Sequence, residues 1–357
     1  MSAHLIATST PLTIAVPAVF AAWRRHVPMV LEVRDLWPEV PIALGALRSP
    51  LSRRSALALE AWAYRKSTEV IALSVGMAEG VRARRPDARV TVIPNGCDIE
   101  LFADAAAAGK LLRDRTPWLG DQPLILYAGT VGFVNDVGYL IQMARTLRHT
   151  HPDIRIAIIG QGAEVPRLRT EAAACGVLDG NLFMLDPMPK NDIVSYFGAC
   201  DLAVSTVRDE PALHANSANK VFDALAAGRP VAINHEGWLA DMLRHSGAGL
   251  VLPAGDPAGA AALVASFVSD PIRRASAGAA ARALAISEFD REMLFQRFEE
   301  VLLRAALPEG RIDPPRQRPG DLDATVGGPR HQPRRGAGAA TSSDDAETEA
   351  PRHAGPH

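Results

Sequence analysis

A lysine and an aspartate three residues apart, Lys220 and Asp223, are the residues whose types and spacing best suit chemistry. If their segment is helical, both side chains share one face, as an ordinary surface ion pair would. The functional alternative places the ammonium of Lys220 on a diphosphate and the carboxylate of Asp223 on the vicinal hydroxyls of a ribose. Asn216 or Ser217 would cap this helix beside the same site, and Gly228–Pro230 would end it.

Two loops that follow apolar, strand-like runs contain the small residues that let a backbone approach a ligand. These are Gly129, Thr130 and Gly132 in the first loop, and Gly160 and Gly162 in the second. Such loops offer backbone N–H groups to a phosphate where a helix begins. A plain tight turn explains the first loop equally well. The dinucleotide-binding fingerprint is incomplete, because its third glycine would fall at Val165.

Short apolar runs alternate with longer helical patterns along the chain, which predicts an α/β protein with right-handed βαβ units and parallel sheets. The predicted strands are His4–Thr8, Met29–Arg34, Glu69–Ser74, Val90–Ile93, Leu124–Ala128, Ile154–Gly160, Leu182–Leu185, Leu202–Thr206, Pro230–Ile233 and Gly249–Leu252. The clearest helical patterns are Ser52–Lys66, Asp136–Thr150, Val165–Cys175, Asn219–Ala227 and Ala258–Ser269.

The segment Leu101–Gln122 interrupts this alternation, so we predict a loop there that joins two doubly wound domains facing a cleft. The first domain would span residues 1–120 and the second 121–288. A helix over 289–306 would return to the first domain. Residues 307–357 contain almost no large apolar side chains, and we predict a disordered tail there.

Composition and charge exclude several classes of protein. The 38 basic and 40 acidic residues leave a net charge of −2, which argues against a nucleic-acid-coating protein. Three cysteines, far apart and without CxxC spacing, argue against a disulfide framework or a zinc site and fit a cytoplasmic setting.

The uncharged run Leu5–Trp23 is close to the ~20 residues of a membrane span. It contains prolines and threonines, however, and no basic residues precede it as in a signal peptide. We predict the strand His4–Thr8, a turn at Ser9–Pro11 and then a buried helix.

Three N-terminal motifs and the long stretch Tyr127–Val231 together resemble a known family. The motifs, in this order, are Leu31–Glu39 (LEVRDLWPE), Ile71–Met77 (IALSVGM) and Val92–Asp98 (VIPNGCD). They resemble family 4 glycosyltransferases, in particular the bacterial cell-surface polysaccharide branch that includes fucosamine-transferase-like O-antigen enzymes. The resemblance covers residues 1–306.

The resemblance implies the GT-B fold, two Rossmann-like domains with a sugar nucleotide held mainly by the C-terminal one. It implies transfer with retention, without a cofactor or an essential metal, to a lipid-linked glycan acceptor in lipopolysaccharide or other cell-surface polysaccharide synthesis. The site would then lie at the inner face of the membrane. A sugar-nucleotide epimerase of similar architecture and a non-catalytic, truncated donor-binding relative remain as alternatives.

The resemblance also extends the set of site residues. Asp35 would orient the acceptor hydroxyl and Arg34 would pair with phosphate, although a salt bridge at the end of a strand explains both equally well. Asp241 resembles an acidic position that faces the donor sugar. Ala215 departs from the family, because it stands where the first glutamate of a Glu-x7-Glu pattern is expected.

The N-terminal domain also departs from the family, since only four strands precede Leu101 where about six are usual. We therefore expect an incomplete N-terminal domain and a truncated chain. The stretch Leu47–Lys66 mixes basic with apolar residues, which predicts either contact with an anionic membrane or an ordinary solvated helix face.

Overall fold

A computed structural model describes residues 3–9 and 11–307, all of which lie in one compact unit. The strands are β1 Leu5–Thr8, β2 Met29–Val33, β3 Glu69–Ala72, β4 Val90–Val92, β5 Leu124–Ala128, β6 Arg155–Ile159, β7 Leu182–Leu185, β8 Leu202–Ser205, β9 Val231–Ile233 and β10 Gly249–Val251. The helices are α1 Ala15–Arg25, α2 Glu39–Ala43, α3 Pro50–Lys66, α4 Val75–Arg84, α5 Ala105–Arg115, α6 Gly138–Thr150, α7 Val165–Ala174, α8 Lys190–Ala199, α9 Asn219–Ala226, α10 Trp238–Ser246, α11 Pro257–Val268, α12 Pro271–Glu288 and α13 Arg291–Ala306.

The first sheet contains four parallel strands in the order β1-β2-β3-β4. Neighbouring residues of β2 face opposite sides of the sheet, as the strand period requires. Leu31 packs with α1 and α3, whereas Val30 packs with α13. Helix α13, the last helix in the described chain, therefore packs against the first sheet, although it follows the helices of the second sheet in sequence.

The second sheet contains six parallel strands in the order β10-β9-β8-β5-β6-β7. Its two faces are covered by separate apolar clusters, so its strands are buried on both sides, as apolar runs such as Leu124–Ala128 predict. The strand order reverses between β5 and β8. In open α/β sheets, ligands bind beyond the carboxyl ends of the strands at such a switch point.

The predicted strands are all present, with ends that differ from the predictions by at most two residues. The segment Leu101–Gln122 is not simply a loop, because it contains α5. This helix lies very close to α8, and a Cβ atom on Gly109 or Gly198 would overlap the backbone of the opposite helix. Two glycines far apart in sequence thus create a contact that local patterns do not reveal.

The prediction of a buried helix after β1 is wrong. Helix α1 buries only its alanine side, Ala15, Ala18 and Ala22, and exposes the large residues Phe20 and Trp23. No helix in the described part of the chain is both long and apolar enough to cross a membrane. Residues 308–357 of the predicted tail lie outside the described residues.

Candidate functional site

A cavity of about 430 Å³ lies beyond the carboxyl end of β5, where the strand order of the second sheet reverses. Its lining combines apolar side chains with three charged ones. The lining residues are Ala128, Gly129, Thr130, Asn135, Met188, Lys190, Ile193, Phe197, Ala218, Asn219, Lys220 and Asp223.

Lys220 is the second residue of α9, a helix held in place by the buried residues Val221, Phe222 and Leu225. Its Nζ donates a hydrogen bond to the Tyr127 hydroxyl at 3.1 Å and lies 4.2 Å from the centroid of that ring. Burial lowers the pKa of Lys220 to about 8. Within the described residues no carboxylate forms an ion pair with it, so the cation faces the cavity with only dipolar partners.

Asp223 lies one helical turn further along α9 and pairs with Lys190, not with Lys220. The Lys190 Nζ is 3.0 Å from its Oδ1, and the side chain of Asp223 is 15% exposed. Burial raises the pKa of Asp223, and the charge of Lys190 opposes that rise. Lys220 and Asp223 therefore do not form a surface ion pair with each other. Both side chains instead line one cavity.

Sequence reasoning missed Lys190, and no local signal marks it. It is the first residue of α8, follows the edge strand β7, and reaches Asp223 only because the tertiary fold brings the start of α8 to the cavity. The sequence predicts that Tyr127 lies in a strand, but it does not predict the contact of the Tyr127 hydroxyl with Lys220.

Two of the three predicted residues of the first glycine loop lie at the cavity. Gly129 has φ +152°, and a Cβ atom there would be 2.8 Å from Cε of Lys220. Gly129 and Thr130 line the cavity, and the Thr130 carbonyl accepts a hydrogen bond from the Tyr127 hydroxyl at 2.6 Å. Gly132 is not in the lining, and its N–H donates to Asn135 Oδ1 at 3.3 Å.

The second glycine loop has a packing role in the structure. A Cβ atom on Gly160 would overlap the carbonyl of Gly129, and one on Gly162 would overlap the carbonyl of Val131. Neither Gly160 nor Gly162 lines the cavity. These glycines let the second loop press against the first and fix its shape.

The prediction that Asn216 or Ser217 caps α9 is wrong, because the N-cap is Ala218 and no side chain caps the helix. The Asn216 carbonyl instead accepts a hydrogen bond from Trp238 Nε1 at 2.9 Å. Neither residue is in the cavity lining. The first turn of α9 therefore presents its backbone end to the cavity without a side-chain cap.

Strand-end loops of the first sheet hold the segment before α9. Ser74 Oγ donates to the Ala215 carbonyl at 3.0 Å, and Asn95 Nδ2 donates to the Ser217 carbonyl at 2.6 Å. A Cβ atom on Gly76 would lie 3.3 Å from that of Ala215. Gly76, near the start of α4, therefore lies close to the half-buried Ala215.

The remaining predicted residues lie away from the cavity lining. Arg34 forms a salt bridge at 3.6 Å with Glu32, a residue of β2. Asp35 is exposed at the carboxyl end of β2. Asp241 is in the first turn of α10, with its carboxylate 3.8 Å from Arg244.

Four buried polar atoms near the carboxyl ends of β8 and β9 have no hydrogen-bond partner among the described residues. They are Ser205 Oγ, His214 Nε2, Ser217 Oγ and His235 Nε2. The rings of His214 and His235 are 6.2 Å apart, and burial lowers the pKa of His235. An unpartnered buried polar group costs about 1–3 kcal/mol, and none of these four residues is in the cavity lining.

Two family models match the chain. The model for glycosyl transferases group 1 matches residues 110–284, and the model for a glycosyl transferase 4-like domain matches residues 1–96. The first sheet lies within the second match and the second sheet within the first. The chain is a glycosyltransferase.

Two relatives show how far the similarity extends. The enzyme is 28% identical to a glycogen synthase of Mycobacterium tuberculosis over 303 residues, which are 84% of this chain and 69% of that protein. It is 26% identical over 219 residues to a GDP-mannose-dependent alpha-(1-6)-phosphatidylinositol monomannoside mannosyltransferase of Mycolicibacterium smegmatis, 61% of this chain and 57% of that protein.

Solved structures confirm that the fold of the enzyme is GT-B. Anabaena HepE, solved in complex with UDP-glucose, superposes with a TM-score of 0.66 at 21% identity, over 82% of this chain and 76% of that one. Within the described residues of the enzyme, no group of three or more His, Cys, Asp or Glu side chains could hold a metal ion.

Proposed function

We propose that the cavity binds a nucleotide-sugar donor and that the enzyme transfers the sugar to a glycan acceptor. One observation supports this above all: Lys220 and Asp223 face the same cavity at the switch point of the sheet, beside a glycine loop. The diphosphate would bind Lys220, the start of α9 and the backbone N–H group of Thr130, since the N–H of Gly129 donates to the Ile159 carbonyl at 2.9 Å. The ribose hydroxyls would bind Asp223.

The base would occupy the apolar part of the cavity. Met188, Ile193 and Phe197 line that part, next to the ion pair between Lys190 and Asp223. Apolar walls with a few placed polar groups are typical of small-molecule sites.

The proposed chemistry is electrostatic. As the bond between the sugar carbon and the diphosphate oxygen breaks, negative charge grows on the departing diphosphate. Lys220 and the start of α9 stabilise that charge more in the transition state than in the bound donor, which accelerates the reaction. The acceptor oxygen forms the new bond to the sugar carbon, and the acceptor proton leaves to a phosphate oxygen or to water.

The finer parts of the proposal rest on the motif resemblance. They are retention of configuration, independence of metal, a lipid-linked acceptor, and a role in O-antigen or other cell-surface polysaccharide synthesis at the inner face of the membrane. The mannosyltransferase relative, whose name includes a phosphatidylinositol acceptor, supports the lipid-linked acceptor.

The proposal also assigns roles to residues outside the cavity lining. Arg34 and Asp35 would act at the acceptor side, and Asp241 would face the sugar with the unpartnered atoms of His214 and His235.

Calorimetry with UDP-sugars and GDP-sugars tests the donor site directly. We expect binding of at least one sugar nucleotide, weakened by Lys220→Ala and by Asp223→Ala and unchanged by Glu299→Ala, a control on the exposed side of α13. No binding of any member of the panel, or equal binding by all variants, would contradict the proposal.

A turnover assay distinguishes the proposed transferase function from the two alternatives, an epimerase and a non-catalytic relative. We expect a new glycosidic bond only when a lipid-linked acceptor is present. Formation of an epimer from the donor alone would favour an epimerase, and donor binding without any turnover would favour a non-catalytic relative.

A further inference from the structure

Helix α1 has an exposed apolar ridge that the rest of the described chain leaves uncovered. Val16, Phe20 and Trp23 are 50%, 61% and 69% exposed. Their spacing of four and three residues places them along one side of the helix. The rings of Phe20 and Trp23 are 5.9 Å apart. Large apolar side chains grouped in this way on a surface mark an interaction site.

The ridge belongs to a pair of packed helices that is rich in exposed positive charge. Helix α3 packs with α1 in the same apolar cluster. The two helices together contain six exposed cations, Arg24, Arg25, Arg53, Arg54, Arg65 and Lys66. In the described part of the chain, none of the six forms an ion pair with a carboxylate.

No acidic side chain offsets these cations on the surface of the two helices. Their one acidic residue, Glu60, is 1% exposed and its Oε2 lies 3.3 Å from Nε of Arg84. The whole chain, in contrast, has a net charge of −2. This pair of packed helices thus carries an excess of exposed positive charge, which complements an anionic partner.

We propose that α1 and α3 dock the enzyme on an anionic lipid bilayer. Phe20 and Trp23 insert among the headgroups, and the six cations contact the anionic lipids. Aromatic residues combined with Lys and Arg, without acids, are the composition of helices that lie in a membrane interface. Helix α1 has 11 residues, so it is too short to span the bilayer.

This surface differs from the one that the sequence predicts. The aromatic residues of α3 do not face outward: Tyr64 is buried, and Trp62 packs against the core of the first sheet. Both helices supply charge, and α1 supplies the aromatic contact. The inference rests on the proposed function in one respect: docking is useful because the enzyme would meet a lipid-linked acceptor at the bilayer.

Vesicle co-sedimentation of the full chain, without donor or acceptor, tests the proposal. We expect binding to vesicles of phosphatidylcholine mixed with phosphatidylglycerol, weak binding to phosphatidylcholine alone, and loss of binding as salt rises. The double variant Phe20→Ser/Trp23→Ser should bind at least about tenfold more weakly. Arg24→Glu/Arg25→Glu should weaken binding to the anionic vesicles alone.

The matched control is Ile272→Ser/Leu303→Ser, which removes residues 82% and 65% exposed on α12 and α13. It should bind vesicles as the unmodified chain does. Each variant is first shown by circular dichroism to be folded and by calorimetry to bind sugar nucleotide as before, so a failure of docking is separate from a failure of the donor site.

Equal vesicle binding by the Phe20→Ser/Trp23→Ser variant, or no binding by the unmodified chain, would overturn the proposal. So would self-association of the unmodified chain that this variant abolishes, because the ridge would then be the contact with a second copy.

Discussion

Replacing Lys220 with methionine should weaken donor binding and at the same time stabilise the free enzyme. The ammonium is the cavity cation without a carboxylate partner in the described structure, and burial lowers its pKa from 10.5 to about 8. Loss of a charged hydrogen bond costs about 1.5–3 kcal/mol, so donor affinity at pH 7 should fall by about ten- to a hundredfold.

The pH dependence of donor binding gives a sharper test. At pH 7 about nine-tenths of free Lys220 is protonated, and at pH 9 only about a tenth is. Because a bound diphosphate keeps the lysine protonated, affinity of the unmodified enzyme should fall about tenfold between pH 7 and pH 9. Lys220→Met should bind equally weakly at both pH values.

The stability of the free enzyme should change in the opposite direction. A lysine whose pKa is lowered on folding destabilises the fold fully below about pH 8, and the penalty fades between pH 8 and the unfolded pKa. A shift of this size corresponds to at most about 3 kcal/mol, partly offset by the lost contact with Tyr127. Lys220→Met should therefore melt higher at pH 7, with little difference at pH 10.

Calorimetry at several pH values and thermal melts without ligand check both effects. Lys110→Met, a change at an exposed lysine on α5, is the control and should alter neither. If Lys220→Met binds donor as well as the unmodified enzyme, or if the pH dependence persists in the variant, the role given to Lys220 is wrong.

Four further predictions follow from the same geometry. Asp223→Ala should weaken sugar-nucleotide binding by about 1.5–3 kcal/mol in calorimetry, because charged hydrogen bonds to the ribose are lost, whereas Glu299→Ala should not. Gly129→Ala should reduce donor affinity at least about tenfold, since its methyl group would displace the cavity lysine; Gly255→Ala, with open space around it, should not. Gly198→Ala should lower stability by about 1–3 kcal/mol or more in denaturant melts, because the added methyl group overlaps the backbone of α5. Chelation with EDTA should leave donor affinity unchanged, because lysines supply the positive charge of the cavity; a loss of affinity would refute this.

The strands and the two-sheet architecture could be predicted because they depend on local patterns. Runs such as Leu124–Ala128 are apolar throughout, which is the composition of a strand buried on both faces. Helix α1 shows the limit of the same reasoning. Its apolar residues suggested burial, but the structure buries its alanines and exposes Phe20 and Trp23.

Cavity residues could be predicted only where a local sequence pattern marks them. Lys220, Asp223 and Gly129 lie at the cavity because helix spacing and strand-end loops bring them there. Lys190 reaches Asp223 from another helix, and Gly160 contacts the backbone of Gly129 instead of the cavity. Such contacts depend on how α8 and the neighbouring loops pack, which no local pattern in the sequence specifies.

A crystal structure of the enzyme with a bound nucleoside diphosphate tests the central claim most directly. We predict the diphosphate within hydrogen-bond distance of Nζ of Lys220, the ribose hydroxyls on the carboxylate of Asp223, and the base beside Met188. A nucleotide bound elsewhere, or one in this cavity with its diphosphate away from Lys220, would contradict the account.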